Sequence, residues 1–109
     1  MHELSVTRNI VAIVAEKAGK RPVKRVKLVI GKLAGIEVPA IRFCFDVVAK
    51  GTVVEGATLE IEEPAGRGSC RECGEEMGIA RLVATCPCER RARIDIVSGE
   101  ELLVREMET

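Results

Sequence analysis

The sequence predicts an α+β fold in which two helices pack on a small three-stranded sheet, with a separate cysteine-bearing module inserted before the last strand. Three observations support this fold. Two segments repeat apolar residues at helical spacing, three segments have the pattern of strands, and a glycine-rich stretch interrupts them before the final strand. At 109 residues the chain suits one domain, or one domain with a small appended module.

Two stretches have the spacing of amphipathic helices. The first covers residues 4 to 18 and ends near Gly19, and the second covers about 38 to 50, with Pro39 tolerable in its first turn. The stripe expected to face the core in the first helix consists of Leu4, Thr7, Val11, Val14 and Ala18. The corresponding stripe of the second consists of Val38, Ile41, Phe45 and Val48.

Strands are predicted where apolar and polar residues alternate. Residues 23 to 30 and 57 to 62 show this alternation. The final run from Leu102 to Met107 is too apolar for a tail, so we expect it to return as a strand to the same sheet.

The segment between these strands has a different composition. Residues 64 to 85 contain several glycines, two cysteines and too few apolar residues for a core of their own, and an alternating stretch follows at 91 to 96. We therefore predict two modules, an α/β module made of residues 1–63 and 100–109, and an inserted module made of residues 64–99.

Composition argues against several partners. Lys and Arg together number 17, as do Asp and Glu, so no net field attracts nucleic acid, and no Trp or Tyr offers a stacking surface. No apolar run approaches the ~20 residues of a membrane span. We expect a cytoplasmic protein that binds neither nucleic acid nor membrane.

Four cysteines form two closely spaced pairs, Cys70 with Cys73 and Cys86 with Cys88. Two short-spaced pairs joined by a loop are typical of zinc ribbons, so a structural zinc ion held by four thiolates is the leading interpretation. A dithiol redox pair and two disulfides are weaker alternatives. The fifth cysteine, Cys44, is expected to be a buried small hydrophobe in the second helix.

The N-terminus carries the sole histidine, His2. The α-amine, the imidazole and the first backbone amides can close small chelate rings on one metal, and such nitrogen donors favour square-planar Ni(II) or Cu(II). The alternative is a solvated terminal residue with no ligand role.

Several segments together resemble the HypA family of hydrogenase-maturation proteins, and the resemblance covers nearly the whole chain. The segments are Met1-His2-Glu3-Leu4-Ser5, Leu28-Val29-Ile30-Gly31, Leu59-Glu60-Ile61 followed by the paired cysteines, and Ser98-Gly99-Glu100-Glu101-Leu102. The family has a nickel-binding α/β module with a zinc-ribbon-like module inserted before the last strand, which is the element order predicted above.

The resemblance implies a nickel metallochaperone, not an enzyme, that helps insert Ni(II) into the large subunit of [NiFe]-hydrogenase, working with a HypB-type GTPase and in some organisms serving urease. His2 is then the essential nickel ligand, with Glu3 and the Met1 amine or backbone amides completing the plane. The cysteines Cys70, Cys73, Cys86 and Cys88 fall on the family's zinc positions. The resemblance leaves a homodimer open.

One feature departs from the family pattern. The second pair reads Cys86-Pro87-Cys88, one residue shorter than the usual CPxC. We expect both sulfurs to bind, because thiolate is the better zinc donor; the alternative is that strain displaces one ligand and Glu89 assists. A different function also remains open, a zinc-ribbon module that binds protein or nucleic acid through Arg90, Arg91 and Arg93.

Overall fold

The computed structural model describes residues 2–82, 84–88 and 91–109, and its elements follow the predicted order. The two helices are α1 (Glu3–Ala18) and α2 (Val38–Ala49). The strands are β1 (Arg25–Ile30), β2 (Thr58–Glu62), β3 (Arg67–Cys70), β4 (Glu76–Gly78), β5 (Ile94–Ser98) and β6 (Leu102–Glu108). The predicted elements are present with ends shifted by a few residues, and β3 and β4 are additional. No helix among the described residues is long and apolar enough to cross a membrane.

The first sheet has three strands in the order β2-β1-β6, as predicted. Strand β1 lies in the centre, parallel to β2 and antiparallel to β6. The final run therefore does return to the sheet of the first half of the chain. Between Lys27 and Leu28 the register with β6 shifts, which makes Arg105 the extra residue of a β-bulge.

The main core lies between this sheet and the two helices. Alternate residues of β1, namely Val26, Leu28 and Ile30, are at most 1 % exposed and face it. The helices contribute Thr7, Ile10, Val11, Val14, Ala18, Ile41, Phe45 and Ala49. No Trp or Tyr is available, so branched aliphatic side chains and one phenylalanine fill this core.

Two of the predicted buried positions are wrong. Leu4 is 42 % exposed, and Ile10 takes its place in the buried stripe, because the stripe of α1 that meets the sheet begins at Thr7. Cys44 is half-buried and not fully buried, since it lies at the margin of the contact between α2 and the rest of the core. Phe45, its neighbour, takes the central position.

The second sheet also has three strands, in the order β4-β3-β5, all antiparallel. Its apolar cluster is small, with Cys70, Cys86 and Ile94 fully buried and a few partly buried neighbours. No alternation of apolar and polar residues marks β3 and β4, which are short and rich in glycine and charged residues. The module boundaries at 63/64 and 99/100 stay a prediction.

The two sheets are joined by backbone hydrogen bonds in the segment that follows β1. The amides of Gly31, Lys32 and Leu33 donate to the carbonyls of Glu101 (2.8 Å), Pro64 (3.0 Å) and Gly99 (2.7 Å), respectively. Pro64 leads into the second sheet, and Gly99 leads out of it. The segment that enters the second sheet and the segment that leaves it are thus both hydrogen-bonded to the same three residues.

This junction requires glycine. A Cβ on Gly31 would lie 2.0 Å from the carbonyl oxygen of Gly99, and one on Gly66 would lie 2.3 Å from that of Ile79. Gly99 has a φ of +111° and would place a Cβ 2.6 Å from Cα of Gly66. Backbone atoms cannot move aside as the end of a flexible side chain can. The three segments of the chain therefore approach this closely only because each has a glycine at the contact.

We expect Gly31→Ala to lower the free energy of unfolding by about 3 kcal/mol, because the new methyl group meets backbone and forces the junction apart. Urea denaturation measures the change. Gly56→Ala is the matched control, since Gly56 has positive φ but open space around its Cβ position, and it should cost only about 1 kcal/mol. Equal costs for the two variants would contradict the close approach.

Candidate metal sites

The four cysteines of the two short-spaced pairs lie together. Their Sγ atoms are all within 4.8 Å of one another, with Cys70 and Cys88 3.9 Å apart and Cys73 and Cys86 3.7 Å apart. Four sulfurs at about 2.3 Å from a tetrahedral zinc ion are separated by about 3.8 Å. No disulfide joins any of the four. The donor set and its spacing therefore fit a closed zinc site.

The first pair is presented by the end of β3. Cys70 is the last residue of that strand, and a tight turn follows in which the amide of Gly74 donates to the Cys70 carbonyl and Gly74 has a φ of +73°. The amide of Cys73 donates to Sγ of Cys70 at 3.5 Å. The turn thus directs both sulfurs to one side and places an N–H dipole on a sulfur.

The second pair sits in a turn held on the other side of the cluster. The amide of Cys86 donates to the carbonyl of Ala92, and the amide of Arg91 donates to that of Cys88. Arg91 has a φ of +48°, which lets the chain reverse. Although the pair is one residue short, Cys88 reaches the cluster as Cys86 does. Glu89, the alternative ligand, lies outside the described residues.

The electrostatics of the sulfurs differ. At Cys70, the amide of Cys73 lowers the thiol pKa and outweighs desolvation. At Cys86, the amide of Cys88 lowers the pKa, but desolvation and the thiols of Cys73, Cys88 and Cys70 together raise it to about 12. The neighbouring sulfurs thus oppose the ionisation of Cys86, whereas those of Cys73 and Cys86 favour that of Cys70. A divalent ion bound by the four sulfurs would offset the opposition at Cys86.

The N-terminal residues lie at the start of α1. His2 is exposed and occupies the N-cap position, with its carbonyl accepting from the amide of Val6. The first amides of a helix have no intrahelical acceptor, so those next to His2 are free of the backbone ladder. Met1, the other predicted nickel ligand, lies outside the described residues.

Glu3 has a contact that the sequence analysis missed. Its Oε2 accepts from the amide of Glu37, the N-cap residue of α2, at 3.2 Å. This hydrogen bond lowers the pKa of the Glu3 carboxyl. The two helix N-termini therefore lie side by side. Pro39 marks the start of α2 in the sequence, but nothing there reveals that this start adjoins the N-terminus.

Two of the three arginines of the alternative hypothesis can be located. Arg91 and Arg93 are exposed, and Arg90 lies outside the described residues. The neighbouring Asp95 pairs with Arg71 at 2.7 Å, so acidic and basic groups alternate on this surface.

The fold and the cysteine cluster define a small α+β protein with an inserted four-cysteine module that could hold a metal ion. The family model described as "Hydrogenase/urease nickel incorporation, metallochaperone, hypA" matches residues 1–109. The chain belongs to the HypA family.

Relatives with assigned names support this membership. The chain is 53 % identical over 108 residues to the hydrogenase maturation factor HypA of Rippkaea orientalis, covering 99 % of this chain and 95 % of the relative. It is 44 % identical over 108 residues to the protein of the same name from Chlorobaculum tepidum, covering 96 % of each chain.

Solved structures show the same fold. The solution structure of the Ni metallochaperone HypA from Helicobacter pylori superimposes with a TM-score of 0.68 at 22 % identity, covering 99 % of this chain and 97 % of that one. A second solution structure of a HypA protein gives 0.64 at 23 % identity, covering 99 % and 95 %.

We expect Cys70→Ser and Cys88→Ser each to lose most of the bound zinc and the order of the second sheet, because metal binding contributes roughly 10 to 16 kcal/mol in small zinc modules. Metal analysis and amide NMR spectra measure both effects. Cys44→Ser is the control, since Cys44 lies outside the cluster. Full zinc content in Cys88→Ser would show that the shortened pair contributes one ligand only.

Protonation of Glu3 should break its link to α2. Because the folded pKa is lowered, the stabilisation is present above the ordinary glutamate pKa of ~4.3 and is lost as pH falls through the lowered value. The Glu37 amide resonance should follow this titration in NMR. Glu3→Gln should abolish the titration, whereas Glu16→Gln, an exposed position on the same helix, should leave it unchanged. Persistence of the titration in Glu3→Gln would assign it to another group.

Proposed function

We propose that this protein is a nickel metallochaperone that binds Ni(II) at its N-terminus and helps deliver it to the large subunit of [NiFe]-hydrogenase during maturation. The observation that carries the proposal is the exposed His2 at the start of α1, next to amides that have no helical acceptor. Family membership supports the choice of nickel, since the matching family model describes nickel incorporation into hydrogenase and urease. Urease is thus a second recipient to test.

His2, Glu3 and Met1 supply the nickel ligands in this proposal. The His2 imidazole and the Met1 amine are two of the donors, and the deprotonated amide nitrogens of His2 and Glu3 complete the set. The carboxylate of Glu3 already accepts a hydrogen bond from Glu37, so Glu3 contributes through its amide nitrogen. Its carboxylate then fixes the terminus against α2. An exposed site of this kind can release its metal to a recipient.

Zinc has a different task in this proposal. Cys70, Cys73, Cys86 and Cys88 hold it with no open coordination position, so zinc stabilises the inserted module and performs no chemistry. The support is the spacing of the sulfurs and the small apolar cluster, which offers little burial of its own. The proposed modules are residues 1–63 with 100–109 for nickel, and residues 64–99 for zinc.

The partners of the proposal are a HypB-type GTPase and the precursor of the hydrogenase large subunit, in the cytoplasm. The chain acts by carrying nickel and not as an enzyme. Support comes from the printed names of the relatives, hydrogenase maturation factors that align over nearly the whole chain.

Nickel titration of the untagged, zinc-loaded protein tests the proposal. His2→Ala should weaken Ni(II) binding at least ~10-fold, since it removes a nitrogen donor worth more than 1.4 kcal/mol, and the absorption spectrum should lose the signature of a square-planar site. Affinity should also fall as the solution is acidified, because protons compete with Ni(II) for the nitrogen donors.

Two controls sharpen this test. Glu16→Ala removes an exposed side chain of the same helix and should not alter affinity, and an extension ahead of Met1 should weaken binding by removing the terminal amine. Unchanged affinity for Ni(II) in His2→Ala would overturn the proposal. So would Ni(II) binding that is seen only when the cysteines are not occupied by zinc.

A further inference from the structure

The four cysteines of the metal cluster differ in how far solvent reaches them. Cys70 and Cys86 are each 3 % exposed and Cys88 is half-buried, whereas Cys73 is exposed. Cys73 lies in the turn that follows β3, beyond the last residue of that strand. A dissolved oxidant therefore reaches Sγ of Cys73 before the other three sulfurs.

A second cysteine lies within reach of this exposed sulfur. Sγ of Cys86 is 3.7 Å from Sγ of Cys73, and a disulfide bond is about 2.05 Å long, so a shift of about 1.7 Å brings the two sulfurs to bonding distance. The amide of Cys86 donates to the carbonyl of Ala92, which holds Cys86 in place while the turn at Cys73 adjusts. An accessible thiolate beside a second cysteine is the arrangement of a redox-sensing pair.

We propose that the cluster is a redox switch, in which a peroxide oxidises Cys73 and Cys86 to a disulfide and the inserted module loses its metal ion. The proposal rests on the zinc site proposed above and is independent of nickel binding. While all four thiolates hold the metal, the module keeps its fold; oxidation of one sulfur from each pair breaks the set.

The reaction balances with the peroxide as the only oxidant. Sγ of Cys73 attacks one peroxide oxygen, the O–O bond breaks, and the departing oxygen leaves as water after taking a proton from solvent, so that Cys73 becomes a sulfenic acid. Sγ of Cys86 then attacks Sγ of Cys73, the S–S bond forms, the S–O bond breaks, and the hydroxyl group leaves as water after taking a second proton. The two sulfurs lose two electrons in all, and the peroxide accepts both.

The competing disulfides are less favourable. Cys70 ends β3, and its sulfur accepts from the amide of Cys73, so a bond between Cys70 and Cys73 would distort the strand end and remove that hydrogen bond. Pro87 restricts the backbone between Cys86 and Cys88. A ring closed across this single residue would require the chain to fold back sharply.

Oxidation should act on the inserted module alone. Thiolate is the metal-binding form of cysteine, so only Cys70 and Cys88 remain as sulfur donors once the disulfide has formed. The apolar cluster of the module is small, and metal binding supplies much of the folding free energy in modules of this kind. The α/β module has its own core between the first sheet and the helices, and it should keep its fold.

Peroxide treatment of the full-length, zinc-loaded Cys44→Ala protein tests the switch, since this background removes the thiol outside the cluster. Hydrogen peroxide should release zinc to a chromophoric indicator in an amount equal to the disulfide formed. Amide NMR spectra should lose the order of the second sheet and retain that of α1, and dithiothreitol with added zinc should reverse both changes. The unmodified chain should behave in the same way.

Three results would contradict the switch. They are zinc retained under peroxide, zinc released without a disulfide, and a change that dithiothreitol and zinc do not reverse. A protein that holds no zinc before treatment would instead refute the zinc site on which the switch depends. The zinc content measured before and after peroxide therefore separates failure of the switch from failure of the site.

Tryptic peptides of the oxidised protein identify the bond without any variant of the cluster. Cleavage after Arg71 places Cys70 and Cys73 in different peptides, and Cys86 and Cys88 share a third. The peptide of Cys73 should be joined to this third peptide, and its fragmentation in the mass spectrometer should assign the bond to Cys86. Brief peroxide treatment with dimedone, which traps sulfenic acids, should modify Cys73 first. A bond between any other two cysteines, or first modification of another cysteine, would exclude this route.

Discussion

The hydrogen bonds made by Gly31, Lys32 and Leu33 are the constraint on which the arrangement of the molecule depends. These residues directly follow the central strand and bind the backbone of the segments that enter and leave the inserted module. Four residues later, the amide of Glu37, the N-cap residue of α2, donates to the carboxylate of Glu3. One short segment therefore contacts the base of the cysteine module at its start and the N-terminal residues at its end.

The sheet topology explains why the two candidate metal regions are attached at the same end of the sheet. Strands β1 and β2 are parallel, so the chain leaves both at that end, while β6 is antiparallel and begins there. The inserted module departs after β2 and returns at β6, and the connection from β1 to α2 is hydrogen-bonded to both the departing and the returning segment. The order of elements along the chain fixes this arrangement once the three strands pair.

The two regions differ in what holds them. Val26, Leu28 and Ile30 are packed against two helices, and burial of such side chains stabilises the α/β part of the fold. The inserted module has only a small apolar cluster, in which Cys70 and Cys86 pack with Ile94. A closed set of four thiolates suits a permanent structural ion, whereas an exposed histidine at a helix start suits a metal that must leave again.

The sequence by itself determined the helices, the strands of the first sheet and the grouping of the cysteines, because these depend on local periodicity and short spacing. It also marked His2, through its position beside the terminal amine. It could not determine that Leu4 is exposed, that glycine-rich segments form β3 and β4, or that Glu3 accepts a hydrogen bond from the N-cap residue of α2. Each of these depends on groups distant in sequence: the sheet selects the buried stripe of α1, and β5 supplies hydrogen bonds to β3. Only the tertiary structure brings the start of α2 to the N-terminus. The contact between residues 3 and 37 follows from the packing of the two helices, and no periodic pattern in the sequence indicates it.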